Sequence, residues 1–171
     1  TIISRIEAWY TSSVSQSIIS VQTSRPMIGT FQDVLIGLGE LSRSATRMTR
    51  YDAMQISRHT PFTGKFDKEI ITGRELLSKP LPKINLTTTP SMYVEKYKEY
   101  VKYNDDEIKV VIRNGELISG ILDKKTSGQQ SAGNIFQIIN NAHSPTKALE
   151  VIFAHQQYAN EQLKKVGFSV G

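Results

Sequence analysis

The sequence predicts an α+β chain, with mixed helices, a β-hairpin with a small sheet, and a C-terminal helix pair. Three observations lead there. Residues 111–128 read VIRNGELISGILDKKTSG, with an Asn-Gly pair between two apolar-rich runs. That pair is the strongest short-range hairpin signal, because a type I′ turn needs positive φ at both central residues. Ser144-Pro145 opens a long stretch with Leu149, Ile152, Phe153, Ala159, Leu163 and Val166 at helical spacing. Elsewhere, short periodic segments are joined by long polar connections, with no internal repeat.

Taken in order, Ile2, Ile3, Ile6, Trp9 and Tyr10 fall on one helical face, with Thr1 as the one capping residue before them. Thr11 to Ser17 is polar and turn-like, and Ile18 to Gln22 reads as a short extended run broken by Arg25-Pro26. Asp33 to Leu41 predicts a helix. Its two glycines, Gly37 and Gly39, each cost roughly 1 kcal/mol relative to Ala, so something must pack close to that backbone. Ser42 to Arg50 is basic and reads as helical, with Arg43, Arg47 and Arg50 on one face, and Asp52 to Ser57 predicts another short helix. His59 to Lys68 is a loop, Thr72 to Leu77 a short helix stopped by Pro80 and Pro82, and Ile84 to Thr88 a strand. Ser91 to Asp106 interleaves Tyr93, Tyr97, Tyr100 and Tyr103 with lysines. Such a pattern can stack bases; a helix with wet lysines and leaning tyrosines is the plainer reading.

In the hairpin, Ile108 to Arg113 and Glu116 to Leu122 flank Asn114-Gly115. The second strand does not alternate cleanly, which predicts burial on both faces. Lys124 and Lys125 leave the sheet into a Ser- and Gly-rich loop. Ala132 to Ala142 is the first C-terminal helix, and the second closes at Gly167 as an αL cap, with Phe168 placed to touch Leu163.

The 171 residues suffice for one domain, or a domain with an annex, burying roughly 70% of its unfolded surface. The net charge of +5 suits contact with nucleic acid or nucleotides and suits a solvated surface equally. There is no cysteine, which removes disulfides, thiol nucleophiles and zinc-thiolate sites. No apolar run approaches the ~18 residues of a membrane span. Both ends read as cut, as in a piece of a longer polypeptide.

His59, His143 and His155 make no metal-ligand spacing, with His143 read as a cap or surface residue and His155 as surface or partly buried. No nucleophile elbow, Walker loop or dinucleotide-binding glycine motif occurs, and Asp105-Asp106-Glu107 reads as a solvated turn. Spacing alone therefore yields no autonomous active site. Two stretches stand out. One is the polar run from Ile19 to Asp33; the other is Lys124-Lys125-Thr126-Ser127-Gly128, whose hydroxyls, small residues and paired lysines suit a path for phosphates.

At these residues the chain resembles the pore domain (domain 3) of the largest subunit of multisubunit DNA-dependent RNA polymerase. Ser20, Gln22, Thr23, Arg25, Pro26, Gly29, Gln32 and Asp33 match its first motif, S-x-Q-T/S-x-R/K-P-x-x-G-x-x-Q-D. Thr72 to Ser78 and Leu81 to Asn85 match T-G-R/K-x-L-L-S and L-P-x-x-I-N. Ile112 to Gly128 match I-R-x-G-E-L-x-x-G-x-x-x-K-K-T-x-G, followed by Ser131-Ala132-Gly133. Asn160, Leu163, Gly167, Phe168, Ser169 and Gly171 match the close. Val21 stands where proline is usual, and Asn134 and Gln137 stand where glycine and histidine are common. Ser91 to Glu107 matches nothing in the pattern. These departures point to a divergent lineage, such as that of a large DNA virus.

The resemblance implies a single pore-type domain over 1–171, with 1–17 as the tail of the upstream active-site region. It implies a part of an RNA-synthesising nucleotidyltransferase that bounds the pore through which nucleotides enter and a backtracked RNA 3′ end leaves. The family's magnesium-binding loop, NADFDGD, is not in the chain. The chain is thus expected to hold no catalytic residue, bind no metal and be inactive alone, while the whole enzyme uses Mg2+. Lys124, Lys125 and Thr126 are expected to contact phosphates in the pore. Ser20, Gln22, Arg25, Gln32 and Asp33 are expected to support the active centre, although the same polar loop also reads as a cap for the next helix. The implied partners are the other domains and subunits of the polymerase, the DNA template, the RNA 3′ end and NTPs, with no membrane. The implied location is intracellular: nucleus or cytoplasm, or a viral factory or virion. Two rival readings stay open. One is a free-standing basic module for single-stranded nucleic acid; the other is a purely structural interaction domain in a larger assembly.

Overall fold

Thr1 caps helix α1, Ile2–Ser12, its hydroxyl accepting from the Ser4 amide. The computed structural model describes residues 1–62, 66–91 and 105–169. The apolar face of α1 forms as the spacing predicts, yet none of it is buried; Ile6, its best-covered member, is 57% exposed. After a 3-10 turn at Val14–Ser17, Ile18 drops into the core. The extended run expected from Ile18 to Gln22 reduces to one bridge, Ile19 to Pro26. Between them the chain folds into a tight loop. The Ser20 amide donates to Arg25 O at 2.8 Å, and the Ser20 hydroxyl accepts from the Thr23 amide. Local serine bonds of this kind compete with strand formation.

Helix α2, Asp33–Ser42, has the close neighbour its glycines called for. A Cβ on Gly37 would lie 2.7 Å from Ala159 O, whereas Gly39 has ordinary room. The helix expected from Ser42 to Arg50 is not formed. Thr46 Oγ1 donates to Glu40 O at 2.6 Å, turning the chain back. Strand β1, Arg47–Thr49, then pairs antiparallel with β2, Ile70–Thr72, with Met48 opposite Ile71. Thr49 ends β1 by capping α3, Arg50–Ser57, accepting from the Asp52 amide. Helix α4, Gly73–Ser78, starts with a reciprocal capping box between Thr72 and Glu75.

The second sheet has the order β3-β4-β5: Leu86–Thr88, Val110–Arg113 and Glu116–Ser119. A one-turn helix, α5, Asp105–Ile108, precedes β4. Asn114 and Gly115 have φ of 50° and 82°, as a type I′ turn requires. Strand β5 is not buried on both faces. Leu117 is buried, but Ile118 is 55% exposed. The chain leaves the strand at Gly120, φ 94°, and Ile121 and Leu122 enter the core beyond it. The broken alternation thus marks a bend, not a two-faced strand.

Lys124 and Lys125 lie on a one-turn helix, α6, Lys124–Ser127, rather than in a loop. Helix α7, Ile135–Ala142, is capped by Asn134 and presents Ile135, Phe136 and Ile139 to the core. Helix α8, Pro145–Val166, begins at Ser144-Pro145 as expected. Its end differs. Gly167 has φ 72° but ψ 165°, outside the αL region, though its amide still donates to Leu163 O at 2.8 Å. Phe168 and Leu163 line one small recess with Asp33 and Ile36. His143 is exposed at the end of α7, its Nε2 3.2 Å from Lys83 O. His155 is fully buried, contrary to the surface reading, because α8 is covered by other elements along this length. The core joins Leu38 and Leu41 of α2, Leu76 and Leu77 of α4, Val110 and Ile112 of β4, and Val151 and Tyr158 of α8. Each such aliphatic side chain contributes roughly 1.5–3 kcal/mol. The tyrosine–lysine reading of Ser91 to Asp106 falls mostly on residues 92–104, which lie outside the described residues.

Candidate functional site

The two polar stretches that stand out in the sequence lie against each other. Thr30 is buried, and both its amide and its hydroxyl donate to Ser127 O, at 3.0 and 2.8 Å. A parallel bridge joins Thr30 to Gly128, and the Gln130 amide donates to Pro26 O at 2.7 Å. Gly29 permits this approach, since a Cβ there would lie 2.7 Å from the Gln129 amide nitrogen. Residues 20–33 and 123–134 therefore lie side by side, with Val21, Met27 and Phe31 exposed among their polar groups.

Asp123 builds the lysine end of this pair of stretches. Its carboxylate accepts from the amides of Lys125 and Thr126, both at 3.1 Å, and also holds Ser91. Thr126 is buried, and its hydroxyl completes the capping box by accepting from the Asp123 amide at 2.7 Å. Thr126 thus shapes the turn that presents the lysines. Lys124 and Lys125 are exposed. The Lys125 ammonium donates to Thr89 O at 2.8 Å, whereas no described residue holds that of Lys124.

On the other stretch, Gln22 and Arg25 are exposed in the turn after Ser20. Gln32 is the N-cap residue of α2, with φ 49° and no side-chain cap bond, and Asp33 sits exposed in the first turn. A carboxylate in a first helical turn is favourable toward the helix dipole. Thr30, Asn134 and Gln137 also belong to this site, and the sequence motifs did not single them out as functional. The buried Asn134 donates to Gly128 O at 2.7 Å. Gln137 accepts from the Gly133 amide at 2.7 Å and donates to Ser24 O at 2.8 Å. The available signal for the latter two was their departure from the family pattern.

A separate cleft of about 860 Å³ lies between the hairpin tip, α4 and the β1–β2 pair. Arg43, Arg47, Lys68, Arg74 and Lys79 line it together with Asp67, Glu75, Asp106 and Glu116, so its charges largely offset. Arg74 is structural. It donates to the carbonyls of Ser42, Ile118 and Asp106 at 2.8–3.2 Å, and burial pushes its pKa down against the pull of Asp106 and Glu107. Among the described residues, no three of His, Cys, Asp and Glu converge as a metal site, and no helix is long and apolar enough to cross a membrane.

With this geometry, known proteins are informative. The family model described as RNA polymerase Rpb1, domain 3, matches residues 17–171. The chain is 35% identical over 181 residues to the DNA-directed RNA polymerase RPB1 homolog of African swine fever virus, strain Badajoz 1971 Vero-adapted, and equally to that of isolate Tick/Malawi/Lil 20-1/1983. The alignment covers 99% of this chain and 12% of each relative, so the chain spans about an eighth of their length. The match thus extends over both polar stretches, the hairpin and the helix pair, and the chain belongs to the RNA polymerase Rpb1 domain 3 family, a part of the polymerase's largest subunit.

Proposed function

We propose that this domain bounds the pore below the active centre of a DNA-directed RNA polymerase, where nucleotides enter and a backtracked RNA 3′ end leaves. The observation that carries the reading is the docking of residues 20–33 onto 123–134, which ties the stretch bearing the exposed Arg25 to the one bearing the exposed Lys124 and Lys125. Ammonium groups suit a transient path for phosphates, being mobile point charges rather than rigid forks. Arg25 adds a fork able to grip a phosphate on two sides. Ser20, Gln22, Gln32 and Asp33 support the neighbouring active centre. The active centre itself, with Mg2+ and the template, belongs to the rest of the enzyme, as do the other domains and subunits this domain meets. The location follows as intracellular, in nucleus or cytoplasm, or in a viral factory or virion.

The test is made in the assembled polymerase. Lys124→Glu with Lys125→Glu weakens crosslinking of a backtracked RNA 3′ end to this domain, through loss of attraction and added repulsion. Unchanged crosslinking would defeat the reading and leave the purely structural one. Strong, salt-dependent binding of single-stranded nucleic acid by the domain alone favours the free-standing module instead.

A further inference from the structure

Among the residues of the docked loops, Gln137 stands apart because its side chain touches both. It projects from the first turn of α7 and is partly buried. Its Oε1 accepts from the Gly133 amide at 2.7 Å, just after the lysine-bearing stretch. Its Nε2 donates to Ser24 O at 2.8 Å, 113 residues away in sequence, in the turn carrying Gln22 and Arg25. A side-chain amide offers a donor and an acceptor on one rigid plane, and both are used here. The other ties between the stretches run from Thr30 to Ser127 O and from the Gln130 amide to Pro26 O. Ser24 itself has φ 53°, an unusual conformation for a residue other than glycine, which needs its surroundings to hold it.

We propose that Gln137 is a positioning residue that sets the spacing between the Gln22–Arg25 turn and the lysine-bearing stretch. Both bonds are needed. The Gly133 bond fixes the amide plane, and the Ser24 bond then fixes the turn against it. A carboxylate cannot substitute, because it would place an acceptor against the Ser24 carbonyl while keeping the Gly133 contact. The functional meaning of the spacing rests on the phosphate reading above; the tie itself does not.

The experiment uses the full-length subunit in assembled polymerase, with Gln137→Glu and Gln137→Ala. Amide hydrogen exchange is followed in peptides covering residues 18–33 and 124–134, with α8 as internal reference. Loss of one net hydrogen bond corresponds to roughly five- to tenfold faster exchange in the 18–33 peptide, with α8 unchanged. Nearly isosteric Gln137→Glu must act like Gln137→Ala, which separates loss of the donor from loss of volume. Exchange that is unchanged in both variants overturns the proposal, and so does a rise in Gln137→Ala alone. If exchange rises in both, the proposal holds, and RNA crosslinking then tests the reading beneath it. Crosslinking that falls in these variants and in the lysine variants supports both. Crosslinking unmoved in every variant supports the tie and sinks the phosphate reading.

Discussion

His155 is a basic residue type buried where its charge cannot be solvated. Its Nε2 donates to Leu77 O at 3.1 Å, which leaves Nδ1 as a buried acceptor with no partner among the described residues, and its ring lies 6.2 Å from that of Phe136 at an interplanar angle of 58°. Burial pushes its pKa down from 6.5 to about 4, against a small upward pull from the Leu77 bond. The neutral ring is the form that folds. Its contribution to stability is therefore full above pH 6.5 and is lost as the pH falls through 6.5 toward 4. Between pH 7 and pH 5 this removes about 2 kcal/mol. Denaturant midpoints at the two pH values measure it, and His155→Gln flattens the difference; an equal pH dependence in that variant would assign it elsewhere. The sequence made His155 visible only as a helical residue, because burial on α8 depends on what lies over it.

At the scale of elements, local chemistry and packing divide the work. Ser144-Pro145 and Asn114-Gly115 act through backbone geometry within a few residues, and each forms where the sequence places it, while Thr72, read as the first helical residue, instead caps α4. Arg43, Arg47 and Arg50 mislead, because helical spacing is a weak guide when a strand partner, Ile70–Thr72, arrives from 20 residues on. Gly37 belongs to both levels. It weakens α2 locally, but it lets the α2 backbone meet α8 at Ala159. Gly37→Ala should gain helix propensity yet lose about 1–3 kcal/mol overall through the clash. A thermal unfolding midpoint above that of the parent chain would contradict this. The exposed face of α1 is a further case, with an amphipathic pattern clear in sequence and no cover among the described residues.

For the whole molecule, the docking of two stretches a hundred residues apart is what makes a candidate site. Gly29 is a point of close backbone approach in it. Gly29→Ala forces a Cβ to within 2.7 Å of the Gln129 nitrogen, and backbone cannot move aside as a flexible side chain would. The expected result is faster amide exchange at Thr30 and weaker RNA crosslinking at Lys124 and Lys125, with α8 unaffected. Retained crosslinking alongside faster exchange would show that the stretches work separately. If each lysine neutralises one phosphate, replacing either with Ala reduces the salt slope of RNA retention by about 1.

By itself the sequence determined the α+β class, the hairpin turn, the helix starts at Thr1 and Ser144-Pro145 and both polar stretches, and its motifs carried the family resemblance. These are signals written in residue type and short spacing, where φ preferences and side-chain caps act locally. Only the tertiary structure decided that Thr126 is a buried part of a cap, that Arg74 serves carbonyls, that His155 is enclosed, and that Gln137 reaches Ser24. Those outcomes depend on which distant segment arrives against each side chain. That is a property of packing between α2, α7, α8 and the sheets, which no local spacing encodes.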